Sequence, residues 1–141
     1  MKPVWIIILL SAVVSAGVLS GCAMFGGEVP RMNASPVIPA AEGHAKFGKA
    51  PNGNTSIDLT VKHLADPQKL TPPVNYYVVW LRASKDAAAQ NIGALTVDKN
   101  LDGKLDTVTA LHSFDLFITG EGSDQVQQPM GQPLLWTSHS Q

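Results

Sequence analysis

Ser56-Ile57-Asp58-Leu59-Thr60-Val61-Lys62 alternates polar and apolar residues without a break. A period of two predicts a half-buried strand with Ile57, Leu59 and Val61 inward. Tyr76-Tyr77-Val78-Val79-Trp80-Leu81 is apolar at every position. That pattern suits a central strand covered on both faces. Trp80 is the largest ring in it and is expected in the core as a structural residue. Tyr76 and Tyr77 point to opposite faces, so one of them is expected at the surface.

Further strands are expected at Phe114 to Thr119 and Pro133 to Thr137, with a weaker one at His44 to Lys49. Ile92 to Val97 and Leu105 to Leu111 flank a turn-rich segment and read as a hairpin. The joins carry turn chemistry in Pro51-Asn52-Gly53-Asn54, Pro72-Pro73, Asp102-Gly103 and Gly120-Glu121-Gly122. Ser84 to Gln90, with its alanine run, is too short for a stable helix and is expected as one turn in a loop. About seven short strands at regular spacing predict an all-β, immunoglobulin-like two-sheet antiparallel sandwich.

A different pattern occupies the N-terminus. An apolar run from Val4 to Leu19 follows Lys2 and ends at Leu19-Ser20-Gly21-Cys22. A basic start, an apolar core and a small-residue cut site form a secretory signal. With the single cysteine at the cut, the layout resembles a bacterial lipobox, in which the thiol is acylated and becomes the mature N-terminus. About 16 apolar residues are also short for a membrane span, which needs about 20. The chain therefore divides into a signal peptide at 1–21, a lipid-anchored linker at 22–41 and a β-sandwich domain at 42–141. The linker is expected from Gly26, Gly27, Pro30, Pro36 and Pro39, which lie in a stretch without a period.

Location follows from that leader. The expected partner is a membrane, reached through palmitate-type acyl chains on Cys22. Ala23 follows the cysteine, and by analogy with lipoproteins an aspartate there would hold the protein at an inner membrane. In a diderm cell the outer membrane, facing the periplasm, is expected. No intrachain disulfide can form with one cysteine, so the exported domain depends on packing. The formal net charge is −1, and loss of Lys2 makes the mature chain slightly more acidic. This argues against nucleic acid, which calls for a clustered basic patch.

Candidate chemistry is sparse. Asp98-Lys99-Asn100-Leu101-Asp102-Gly103-Lys104-Leu105-Asp106 sets oxygen side chains at positions 1, 3, 5 and 9 of a calcium loop, with Gly103 at 6. Calcium takes six to eight oxygens, and alternate loop residues can converge on one ion. Asp98, Asn100, Asp102 and Asp106 are thus the candidate metal ligands, although position 12 is Thr109 where a Glu is expected. The same residues suit an ordinary hairpin loop, with Gly103 in the left-handed position. His44, His63, His112, His139 and Met130 are soft-metal ligand types without ligand spacing. Gly120-Glu121-Gly122-Ser123 lacks the second glycine of a nucleophile elbow. No nucleophile–base pair is readable, so a non-enzymatic role and no obligatory cofactor are expected.

The stretch Tyr76 to Leu135 resembles the extracytoplasmic β domain of bacterial anti-sigma-K-type factors. The resemblance rests on Tyr77, Trp80 and Leu81; Gly93 and Leu95; Gly103; Phe114, Phe117, Thr119 and Glu121; and Pro129, Gly131 and Leu134. Those proteins place a sigma-binding segment and a membrane helix ahead of the domain, and neither is found here. The resemblance implies a fold and an outer compartment, with a binding or structural role, rather than sigma-factor inhibition. An unspecified envelope protein is the partner it suggests.

Overall fold

The computed structural model describes residues 29–141. The expected signal peptide, the expected lipobox with Cys22 and residues 22–28 of the expected linker lie outside the described residues. The strands are β1 (Asn33–Ala34), β2 (Glu42–Lys49), β3 (Thr55–Lys62), β4 (Tyr76–Arg82), β5 (Gln90–Ala94), β6 (Thr96–Val97), β7 (Gly103–Thr109), β8 (Phe114–Glu121) and β9 (Pro133–His139). They form two antiparallel sheets, ordered β1-β9-β8-β4-β5 and β2-β3-β7-β6. Leaving out β1, these orders match the two sheets of an immunoglobulin-like sandwich. The all-β sandwich is as the alternation predicts, and its two additional strands, β1 and β6, are only two residues long.

Ile57, Leu59 and Val61 of β3 are buried between the sheets. They meet Tyr77, Val79 and Leu81 of β4, Leu116 and Ile118 of β8, and Leu135 of β9. Trp80 is fully buried, but not in that core. It lies on the outer face of the five-stranded sheet in a second cluster with Val78 and Phe117, covered by Ala89, Ala94 and Val126. A strand apolar at every position leaves its inward phase undetermined, which is why the sequence pattern alone put Trp80 between the sheets. Tyr77 takes the inward phase instead, and its hydroxyl donates to the Ala65 carbonyl at 2.7 Å. Tyr76 is 42% exposed, so the two tyrosines do divide between faces.

Three expectations need correction. The linker does not extend to residue 41, because Met32, Ile38 and Ala41 are buried in the sandwich core. The Met32 N–H donates to the Gly43 carbonyl, and the Ala45 N–H to the Pro30 carbonyl. The Met32 side chain lies so close over Gly43 that a Cβ there would meet its sulfur at 2.7 Å. Consecutive turns at Ser35–Ile38 and Ile38–Ala41 space these buried residues irregularly, so no period marked them.

Second, Ile92 to Val97 is two strands rather than one. Leu95 donates its N–H to the Tyr77 carbonyl, and the chain then crosses to the other sheet, where Thr96 and Val97 pair with Lys104 and Gly103. Third, Gly103 does not take the left-handed conformation; Leu101 does, at φ 62°. Gly103 is buried at the start of β7, where a Cβ would meet Leu64 and Leu95 at 3.0 Å. Its requirement is space.

Two measurements check this packing. Trp80→Ala is expected to lose about 3–5 kcal/mol in chemical denaturation, as for other buried aromatics. Burial, reinforced by the Asp66 charge, raises the Tyr77 hydroxyl to about 12. The folded state therefore holds this proton more tightly than the unfolded chain. Its contribution is complete below pH ~10 and disappears as pH rises through the folded value. Stability should fall between about pH 10 and 12, and Tyr77→Phe should flatten that fall.

Candidate functional site

The outer face of the five-stranded sheet is half covered. A strap of residues 122–132 between β8 and β9 lies over Trp80, and it is fastened from beneath by Glu121. That side chain is 2% exposed. Its Oε1 accepts the Thr119 hydroxyl at 2.5 Å and the N–H groups of Met130 and Gly131 at 3.0 and 3.2 Å. Thr119 in turn accepts the Trp80 indole N–H at 2.8 Å. The strap passes so near β8 that a Cβ on Gly131 would meet the Gly120 carbonyl oxygen at 2.6 Å. From its other flank, the Asn91 amide donates to the carbonyls of Asp124 and Val126. A buried carboxylate needs such donors, because one left unpaired would carry its full desolvation penalty.

Beyond the strap the same face opens into a groove of about 440 Å³, lined by Arg82, Lys85, Asp115, Phe117, Trp136 and Ser138 among others. The strand register builds it. Trp136 stands opposite Phe117, Ser138 opposite Asp115, and Asp115 opposite Arg82. Trp136 keeps 41% of its surface exposed. Arg82 lies over the Phe117 ring, 5.2 Å from its centroid, and donates Nε–H to Asp115 Oδ2 at 3.2 Å. The Ser138 hydroxyl donates to Asp115 Oδ1 at 2.7 Å.

Both Asp115 oxygens are therefore already engaged. Its carboxyl is held below the usual range, first by the Ser138 hydrogen bond and next, against opposing desolvation, by the bond and charge of Arg82 and the charge of Lys85. Among the described residues, the Arg82 Nη groups and the Lys85 ammonium form no ion pair or hydrogen bond. The groove thus presents an indole face, a fixed guanidinium and a second cation. Trp136 and Phe117 fall within the strands expected at Pro133 to Thr137 and Phe114 to Thr119. Arg82, Lys85, Asp115 and Ser138 were missed, because only the pairing of β4, β8 and β9 brings them together.

The predicted calcium ligands are not gathered. Asp98 Oδ1 accepts the backbone N–H groups of Asn100 and Asp102 at 2.8 and 3.0 Å. Asp102 Oδ1 accepts the His63 N–H at 3.3 Å. Asp106 stands within β7 opposite Asp58 of β3, and Asp58 faces Lys46 of β2. Among the described residues no group of three or more His, Cys, Asp or Glu side chains could hold a metal. His139 stacks on Phe47 and Phe114, with centroids 4.4 and 5.3 Å away, while Met130 is 82% exposed.

No family model, curated protein or solved structure matches the chain.

Melting curves of the full-length protein in detergent should coincide in excess calcium and in chelator. Asp98→Ala should lower stability by about 1 kcal/mol under both conditions, the scale of a lost side-chain cap. A calcium-dependent rise in melting temperature that vanishes in Asp98→Ala would overturn this.

Proposed function

We propose that this chain is a non-enzymatic, lipid-anchored protein of the cell envelope whose sandwich is a binding module. Acylation of Cys22 would hold it to a membrane; the lipobox Leu19-Ser20-Gly21-Cys22 supports that anchor. The single observation that carries the binding role is the open groove. It keeps an indole and two cations available beside a carboxylate whose own partners are satisfied. The fold suits the outer compartment suggested by the resemblance to anti-sigma-K-type domains, and it needs no disulfide.

The structure shortens the proposed tether. Chain engagement with the sandwich begins at Pro30, which bonds Ala45. Ala23 to Val29 can span at most about 25 Å when fully extended. The bridge between Arg31 and His44 is antiparallel, so Val29 and Pro30 lie on the side of it toward the Phe47 end of β2. Phe47 packs there on Phe114 and His139, at the same end as Asp115 and Ser138 of the groove. The binding face would therefore sit close to the anchored surface, beside envelope material within that reach.

Fractionation tests the anchor. The wild-type protein should sediment with membranes, and Cys22→Ser should release it or leave an unprocessed precursor that takes up no labelled palmitate. Acyl labelling that persists in Cys22→Ser would reject the proposal.

A further inference from the structure

The groove carries a charge that its own residues leave unanswered. Its one carboxylate, Asp115, is engaged on one oxygen by Arg82 Nε and on the other by Ser138. Two cations therefore share one carboxylate, and that carboxylate spends both oxygens inside the wall. The Arg82 guanidinium is positioned by two contacts, the Nε–H bond and the Phe117 ring, whose centroid lies 5.2 Å from Cζ. A guanidinium tied through Nε keeps its terminal pair of nitrogens for another partner, and that planar fork fits the two oxygens of a carboxylate. Lys85 stands close enough to lower the Asp115 carboxyl through its charge, so it adds a second positive group at the same rim.

The rest of the lining determines what bears that carboxylate. Trp136, 41% exposed, offers an apolar surface on the strand beside Phe117, while the Ser138 hydroxyl, its proton given to Asp115, brings an oxygen that can still accept to the same wall. A ring with one apolar face and hydroxyls around its edge matches that alternation. A flat aromatic acid would leave the Ser138 acceptor unused, and a bare anion would leave the indole unused. The volume, about 440 Å³, is in the lower part of the range of small-ligand pockets.

We propose that the groove binds a carboxylate-bearing sugar, a hexuronate unit of an acidic glycan. The ring stacks on Trp136 and the carboxylate pairs with the Arg82 Nη groups and Lys85. This rests on the reading of the groove as the binding site of the module, and is independent of the lipid anchor.

Methyl β-glucuronoside and methyl β-glucoside differ only at C6, a carboxylate in one and a neutral hydroxymethyl in the other, so they are the probes. Each is titrated into the full-length protein in detergent and followed by calorimetry and by the indole N–H signals. Glucuronoside should bind at least ten-fold more tightly than glucoside and move the Trp136 signal while leaving the buried Trp80 signal in place. Arg82→Gln should reduce its affinity to that of the glucoside. Lys85→Gln, a change at an exposed side chain, should weaken it a few-fold without altering the melting temperature. Trp136→Ala should abolish both interactions.

Equal affinity for the two sugars, lost in Trp136→Ala, would overturn the carboxylate assignment and leave the groove a binding site. Binding of neither sugar would overturn the sugar assignment. If Cys22→Ser protein then bound vesicles of anionic phospholipid in an Arg82-dependent way, the groove would be a headgroup site. If it bound neither, the groove reading itself would fall.

Discussion

Strand β4 is apolar on both of its faces, and a strand of that kind is stable in a sheet only when both faces are covered. The sandwich supplies one cover through the core around Tyr77, Val79 and Leu81. The other face carries Val78 and Trp80, and no second layer of secondary structure lies over it among the described residues. Loops have to do that work. Val126 and Ala89 close over Trp80, and a covering loop must itself be held down. Glu121 holds it through the backbone of Met130 and Gly131 while sharing Thr119 with the Trp80 indole. The second cluster and the buried polar chain are thus one device. The apolar side chains require the strap, and the carboxylate fixes where it lies.

Placement of the groove follows from the reach of that device. The strap covers the half of the outer face next to β5, where Asn91 anchors its other flank. Toward the end of β4 and the start of β8 the cover stops, and side chains on the same face change from Val78 and Trp80 to Arg82 and Asp115. Here the apolar ring of Phe117 is shielded by the Arg82 guanidinium instead of by a loop. A charged group shielding an aromatic face keeps its own outer edge in solvent. A loop in that position would have sealed the site; the arginine covers the ring and leaves donors exposed.

Much of the fold was legible from β3, β4, β8 and β9, because their alternation or continuous apolarity reports burial directly. What was illegible shares a cause. Met32, Ile38 and Ala41 are buried from successive turns, and turns have no period to read. Gly103 was read as a turn glycine from the Asp-Gly pair, yet Leu101 makes the left-handed turn and Gly103 clears space for Leu64 and Leu95. Local chemistry named the right loop, and tertiary packing decided which residue did what. Trp80 was legible as buried but not as facing outward, since only neighbours across the sheet fix the phase of such a strand.

The candidate site was the least legible part. Arg82, Asp115 and Ser138 are each unremarkable in sequence and come together only through the β4–β8 and β8–β9 registers. The Asp98 to Asp106 segment shows the reverse. Its oxygen-bearing residues are close in sequence, but three structural requirements separate them. Asp98 closes its own turn, Asp102 ties the His63 backbone to that turn, and Asp106 enters a strand. In a strand, successive side chains face opposite ways and each residue adds about 3.3 Å. The three residues between Asp102 and Asp106 therefore carry the last carboxylate along β7 and away from the turn. Sequence spacing suggests a metal loop only while the backbone stays curled, and here β7 begins at Gly103, midway through the motif. Early entry into the strand lets Leu105 and Thr109 continue the sheet at the expense of the cage. The same pairing rule that scatters these carboxylates assembles Arg82, Asp115 and Ser138 on the opposite sheet.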